Sequence, residues 1–215
     1  MVDQVSYSLR EDGFEIRKTQ LEPSDLVSLR NEADRVSHEA GSNCVRQLLL
    51  KSDFFLSTIS VVAEDLPELE GMQPVRSLLF DKTPERNWPV ALHRDTTITV
   101  QQRKAAPGYG RWTSKEGVVH VKPPDNLLES MVTIRLHLDD TPEENGALIV
   151  QPQSHLSARE SSDEYVCECK AGEVLLMKPL LLHSSRRSER PSRRRVIHVE
   201  FAHRSELDPQ LEWAE

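Results

Sequence analysis

Hydrophobic and polar positions change their rhythm near residue 74. Before it, "LEPSDLVSLRNEADRV" sets Leu26, Leu29, Ala33 and Val36 at helical spacing behind a Pro23–Ser24 start. That is the repeat of a helix with one buried face. "SDFFLSTISVVAEDL" predicts a second helix capped by Ser52, because a serine hydroxyl takes up one of the orphan N–H groups of a first turn. After it, "PVRSLLFDK", "TTITVQQ", "SMVTIRLHLDD", "ALIVQP", "EYVCECKA", "EVLLMKP" and "RRVIHVEFAH" are short, rich in Val, Ile, Thr and Leu, and bounded by Pro, Gly, Asn or Asp. These are strand signatures. Strands without interposed helices predict a mainly β antiparallel sandwich or barrel behind a helical layer, not a parallel α/β sheet. Residues 102–127 interrupt the rhythm. "APGYGRWTSKEG" and "KPPDNLLES" read as a lid-like excursion with a short helix near Asp125 to Glu129, and connections of this length are commonly functional.

Length and charge narrow this picture. The 215 residues suit a single domain, with the helical layer over about 1–73 and the β core over about 74–203. There are 27 Lys+Arg against 35 Asp+Glu, a net charge of −8, which argues against general binding of nucleic acid or anionic membranes. No apolar run reaches the roughly 18 residues of a membrane span. The opening "MVDQVSYSLREDGFEI" lacks the apolar stretch of a signal peptide. Cys44, Cys167 and Cys169 lack C-x-x-C spacing and read as reduced thiols of a cytoplasmic protein, monomer or homodimer. Six arginines crowd Arg186 to Arg195; in an acidic chain they read as a polar spacer.

The candidate chemistry starts at His93-Arg94-Asp95. Residues i and i+2 of a strand point the same way, so the pair offers an imidazole and a carboxylate to one point. A distant histidine would complete a 2-His-1-carboxylate triad, which leaves open positions on a ferrous ion. The pattern occurs again at His137-Leu138-Asp139. A barrel favours ligands from an early and a late strand. His93 and His183 lie 90 residues apart and His137 and His183 only 46, so His93, Asp95 and His183 are the expected ligands and His137 a cavity residue. His155 competes with His183 for the distal place. Eleven residues after His183 comes Arg194, at the head of a strand whose polar face carries Arg194, Val196, His198 and Glu200. Arg195, Ile197, Val199 and Phe201 form its more apolar face, expected to pack on the helices. A guanidinium at Arg194 can take a carboxylate bidentately.

Together these segments resemble the phytanoyl-CoA dioxygenase-like branch of the Fe(II)/2-oxoglutarate-dependent oxygenases. The resemblance runs from about Asp12 to Ala202. "EDGFEI" is similar to that family's opening strand, "LFDKTPERNWPVALHRDTTITVQQR" to its iron-binding segment, "RLHLDDTPEENGALIVQPQSH" to its N-G-[AC]-L…P-G-S-H segment, and "GEVLLMKPLLLHSS" to its distal histidine segment. Gln153 stands where the family has Gly, and Leu92 where it has Trp. The resemblance implies a double-stranded β-helix (jelly-roll, cupin-like) core. It implies that His93, Asp95 and His183 bind Fe(II), and that Arg194 and Ser185 hold 2-oxoglutarate, with Arg135 and Leu78 beside it. O2 is the other co-substrate, and a small molecule is oxidised. Because Asp95 keeps the carboxylate that related halogenases replace, it implies oxidation without halide transfer. Arg46, His137, Arg103, Tyr109, Trp112 and His198 are the expected substrate contacts, with Arg111 in the same segment. The alternative is a jelly-roll protein that binds or senses a ligand without turnover.

Overall fold

The computed structural model describes residues 7–156, 163–189 and 192–215. Its helices are α1 (Pro23–Ala40), α2 (Leu48–Lys51), α3 (Asp53–Glu64) and α4 (Asp125–Ser130). Its strands are β1 (Phe14–Lys18), β2 (Cys44–Arg46), β3 (Gln73–Lys82), β4 (Val90–His93), β5 (Ile98–Val100), β6 (Gly110–Lys115) and β7 (Val118–Lys122). They continue with β8 (Val132–His137), β9 (Leu148–Val150), β10 (Tyr165–Cys167), β11 (Glu173–Met177), β12 (His183–Ser185) and β13 (Arg194–Ala202).

Both expected helices form for the expected reasons. A reciprocal capping box between Glu22 and Asp25 starts α1, and Gly41 ends it in the left-handed region at φ +60°, where glycine pays no steric penalty. Ser52 accepts the Phe55 N–H at 3.2 Å to cap α3. The buried stripe of Leu29, Ala33 and Val36, with Phe55, Ile59 and Val62, packs on Ile134, Leu136, Ile197, Val199 and Phe201. The apolar face of β13 thus meets the helices as its alternation predicts.

The β core is two facing antiparallel sheets, ordered β1-β11-β8-β13-β3-β2 and β10-β9-β12-β4, the jelly-roll arrangement. One end of the space between them is filled by Phe14, Leu148, Val150, Leu175, Met177 and Leu181. The other end is polar and holds the candidate site. The two cysteines Cys167 and Cys169 are buried in the apolar end as free thiols.

Residues 102–127 differ from the expected open excursion. Half of them form the β6–β7 hairpin, which joins β5 in a third sheet. It has a core of its own, in which Val100, Val121, Leu128, Leu211 and Trp213 are buried. The alternation in "RWTSKEGVVHVK" carries this hairpin, with Gly117 at φ +82° in its turn. The short helix after it is α4. At Gln153 the chain adopts φ +65°, the conformation for which glycine is suited.

Among the described residues no helix is long and apolar enough to cross a membrane. The arginine-rich stretch is largely engaged in ion pairs. Arg193 bonds Asp81 at 2.7 and 2.6 Å, Arg195 bonds Asp139 at 2.9 Å and Asp34 at 3.1 Å, and Arg186 reaches Glu143 at 3.4 Å. Arg190 lies outside the described residues.

Candidate metal centre and its cavity

β4 ends at His93, and β12 begins at His183; the two histidines are cross-strand partners, with ring centroids 4.2 Å apart. Asp95 follows the strand end, its N–H bonded to the Pro179 carbonyl at 2.9 Å. Arg94 secures the same turn, donating to the carbonyls of Leu180 at 2.9 Å and Ser154 at 3.0 Å. Asp95 then sits between the rings. One oxygen is 3.7 Å from His93 Nε2 and the other 3.7 Å from His183 Nε2. One donor atom from each of the three side chains lies within 4.8 Å of the others.

The tautomers suit a metal. His93 Nδ1 and His183 Nδ1 each donate to the carbonyl two residues earlier, Ala91 and Leu181, at 2.8 Å. Both rings therefore turn Nε2 towards Asp95. Fixing the remote ring nitrogen in this way is how metal-binding histidines are oriented. Burial pushes the His183 imidazolium down to about 4, so the ring is a neutral donor. Burial pushes the Asp95 carboxyl up, but the adjacent His93, then His183, His198 and Arg76, draw it well below the usual carboxylate range. A hydrogen bond to Asp95 and then, against burial, its charge in turn raise His93. A carboxylate held ionised between two imidazoles is a donor set suited to a dication of the first transition row.

Beside these groups lies a cavity of about 90 Å³. Leu78, Arg135, His198, Ser185 and Arg194 line it together with His93, Asp95 and His183, as do Arg76, Phe80, Lys82 and Trp88. Arg194 donates to the Gly146 carbonyl. Burial, then neighbouring Arg135, lowers its guanidinium to about 10. Arg135 donates to His198 Nδ1 at 3.1 Å. A guanidinium cannot accept, so the His198 proton sits on Nε2, 3.4 Å from Glu200. Glu200 also accepts from Arg76 at 2.8 Å. Asp95, His198 and Glu200 form a second group with metal-ligand spacing, but Glu200 already answers Arg76.

The other sequence candidates lie elsewhere. His137 is buried, donates Nδ1–H to Thr141 Oγ1 at 3.0 Å, and has no partner at Nε2. Arg46 stands in a neighbouring pocket of about 10 Å³ with Ser77, His120 and Glu215, 3.4 Å from Glu116. It is near the cavity but does not line it. Tyr109 and Trp112 pack against the core of the third sheet; Tyr109 accepts the Asp208 N–H at 3.2 Å. Arg103 sits over the Trp112 ring at 5.9 Å. Local packing therefore holds this trio away from the cavity lining. His155 packs against Gly13, where an added Cβ would lie 2.4 Å from its ring, and it takes no part in the His93–Asp95–His183 group.

Two cavity cations escape a reading of motifs. Arg76 and Lys82 share the inward face of β3 with Leu78 and Phe80. The period-two alternation of the strand carries that signal.

Solved structures share this architecture. SnoK, a non-heme alpha-ketoglutarate-dependent carbocyclase from nogalamycin biosynthesis, superposes with a TM-score of 0.69 at 16% identity, over 91% of this chain and 81% of its own. HygX from Streptomyces hygroscopicus, crystallised with nickel and 2-oxoglutarate, gives 0.65 at 14%, over 90% and 84%. AviO1 from Streptomyces viridochromogenes Tue57 gives 0.60 at 20%, over 94% and 93%. At these identities the likeness is one of fold. No curated protein matches the chain in sequence. The family model of phytanoyl-CoA dioxygenase (PhyH) matches residues 9–196, nearly the whole jelly roll and its helical layer, and the chain belongs to that family.

Proposed function

We propose that this protein is an Fe(II)- and 2-oxoglutarate-dependent oxygenase that oxidises a C–H bond of a small molecule and releases succinate and CO2. The observation that carries this reading is the convergence of His93, Asp95 and His183 on a cavity that Arg194 also lines. Iron held there would supply activation of O2, coupled to decarboxylation of the 2-oxo acid.

Each residue has a part that follows from its surroundings. His93, Asp95 and His183 would hold the ion through three donors and leave the rest of its coordination sphere open. The carbonyls of Ala91 and Leu181 keep both imidazoles in the tautomer that presents Nε2. Arg194 and Ser185 would take the distal carboxylate of the co-substrate, with the Gly146 carbonyl steadying the guanidinium. Leu78 and Phe80 supply apolar wall, which excludes water from the reacting centre. The Arg135–His198–Glu200–Arg76 chain holds the cavity wall in one arrangement.

Fold relatives described as a carbocyclase and an epimerase make hydroxylation one of several outcomes open to such a site. The reaction class is therefore the claim, and the product decides among outcomes. The test is O2-dependent formation of succinate from 2-oxoglutarate by the Fe(II)-loaded protein. Turnover that His183→Ala abolishes supports the reading. Tight binding of metal and 2-oxoglutarate with no turnover toward any of a panel of small metabolites would favour a binding or sensing protein instead.

A further inference from the structure

The cavity carries more positive charge than its own carboxylates answer. Its lining holds four cationic side chains, Arg76, Lys82, Arg135 and Arg194, and among the described residues one carboxylate, Asp95. Asp95 belongs to the metal centre, and Arg76 is answered by Glu200 at 2.8 Å. Arg135 donates to the neutral His198 ring at 3.1 Å, which leaves Lys82 and Arg194. They are register partners on β3 and β13 and are only 3% and 5% exposed. Lys82 Nζ donates to the Trp88 carbonyl at 2.6 Å and reaches Ser185 Oγ at 3.4 Å. It also lies 5.0 Å over the Trp88 ring. The groups that face it are Arg194 from β13, Arg135 from β8, Ser185 from β12 and Trp88 from the connection before β4. All are cationic or neutral. A lysine is almost never buried without an anion, and two cations this close repel strongly where water is excluded.

We propose that Lys82 is a second anchor for the distal carboxylate of 2-oxoglutarate, its ammonium joining the Arg194 guanidinium and the Ser185 hydroxyl in one seat. This rests on the co-substrate reading above. The arrangement fits a dicarboxylate, with the 2-oxo acid end at the metal and the second carboxylate at the paired cations. A 2-oxo acid without the second carboxylate uses only the metal end.

The seat has a consequence for pH. Burial, then Arg194 and Arg135, lowers the Lys82 ammonium to about 7, while Arg194, at about 10, stays charged. An arriving carboxylate favours the ammonium, so above about pH 7 binding draws a proton onto Lys82. The affinity is full below that pH and falls as pH rises, by up to about tenfold per pH unit.

Calorimetry on the full chain loaded with Mn(II) tests this, using 2-oxoglutarate and pyruvate at about pH 8 in two buffers of different ionisation enthalpy. The wild type takes up close to one proton with 2-oxoglutarate and none with pyruvate. Lys82→Met weakens 2-oxoglutarate about tenfold or more and leaves pyruvate unchanged, which a merely structural role would not do. Lys82→Arg keeps the affinity and loses the proton uptake. An unchanged 2-oxoglutarate affinity in Lys82→Met, or no proton uptake by the wild type, overturns the proposal while leaving the oxygenase reading intact. A wild type that binds metal but not 2-oxoglutarate overturns both. If Lys82→Met does not fold, the proton count of the wild type and of Lys82→Arg decides.

Discussion

In His93-Arg94-Asp95 the strand stops at the histidine, and Arg94 ties the following turn to the carbonyls of Leu180 and Ser154. In His137-Leu138-Asp139 the middle residue is a leucine buried under the helical layer. The pattern is the same; the turn after it is not. Asp95 is carried to within reach of both His93 and His183. Asp139 is carried to the helical side, where it accepts from Arg195 at 2.9 Å and Arg30 at 3.1 Å. His137 stays on the inner face and bonds Thr141. The contrast teaches that H-x-D specifies two donors, and that the residue between and the strand opposite decide whether they meet a third. His93 faces His183 across the ladder, whereas His137 faces Val196.

The comparison can be broken most readily at the carboxylates. Asp95→Ala and His183→Ala should each abolish specific metal binding and lower iron-dependent turnover by more than about a hundredfold, beyond what outer-shell changes cost at metal sites. Asp139→Ala should leave metal binding intact and cost about 2 kcal/mol of stability, since Arg195 loses its bidentate partner and keeps Asp34 at 3.1 Å. Metal titration and urea unfolding, run on each variant, separate the two effects. The middle residues should divide the same way. Leu138→Ala should lower the unfolding free energy by about 3 kcal/mol through the cavity it leaves, with metal affinity unchanged. Arg94→Ala should weaken metal binding by about tenfold with a smaller loss of stability.

The smallest expected effect is a pH slope at His137. Burial, then Arg135 and Arg194, holds its imidazolium well below the ordinary 6.5. The unfolded chain therefore binds a proton below 6.5 that the folded chain refuses, and stability falls as pH drops beneath that value. Between about pH 6.5 and 5.5 the metal-free wild type should lose about 1 kcal/mol more than His137→Gln. Equal slopes in urea titrations of the two proteins would show that His137 is not held neutral.

Much of this was legible in the chain. The seven strand segments, the two helices and the Ser52 cap follow from periodicity and turn chemistry, and the inward face of β13 follows from alternation. What escaped has physical causes. Residues 102–127 read as an excursion because their apolar positions, such as Trp112 and Val121, are few; the partner that makes them a hairpin core, Trp213, is distant in sequence. Tyr109, Trp112 and Arg103 are expected at the substrate from their place in that segment; the fold packs Tyr109 and Trp112 on the core of the third sheet, with Arg103 over Trp112, off the cavity lining. Arg46 falls just outside the cavity, beyond the reach of any argument from strand order. Lys82 carries no sequence signal of burial, since a lysine at a strand end ordinarily reaches solvent. The local pattern reveals which face a side chain takes, but not how much space waits on that face.

On the proposed reading the first H-x-D pair, completed by His183, holds the metal and the second pair does not. Equilibrium dialysis of Mn(II) against the wild type, Asp95→Ala and Asp139→Ala tests it most directly. One specifically bound ion is expected in the wild type and in Asp139→Ala and none in Asp95→Ala; an ion retained without Asp95, or lost without Asp139 in a protein that still folds, would rule the assignment out.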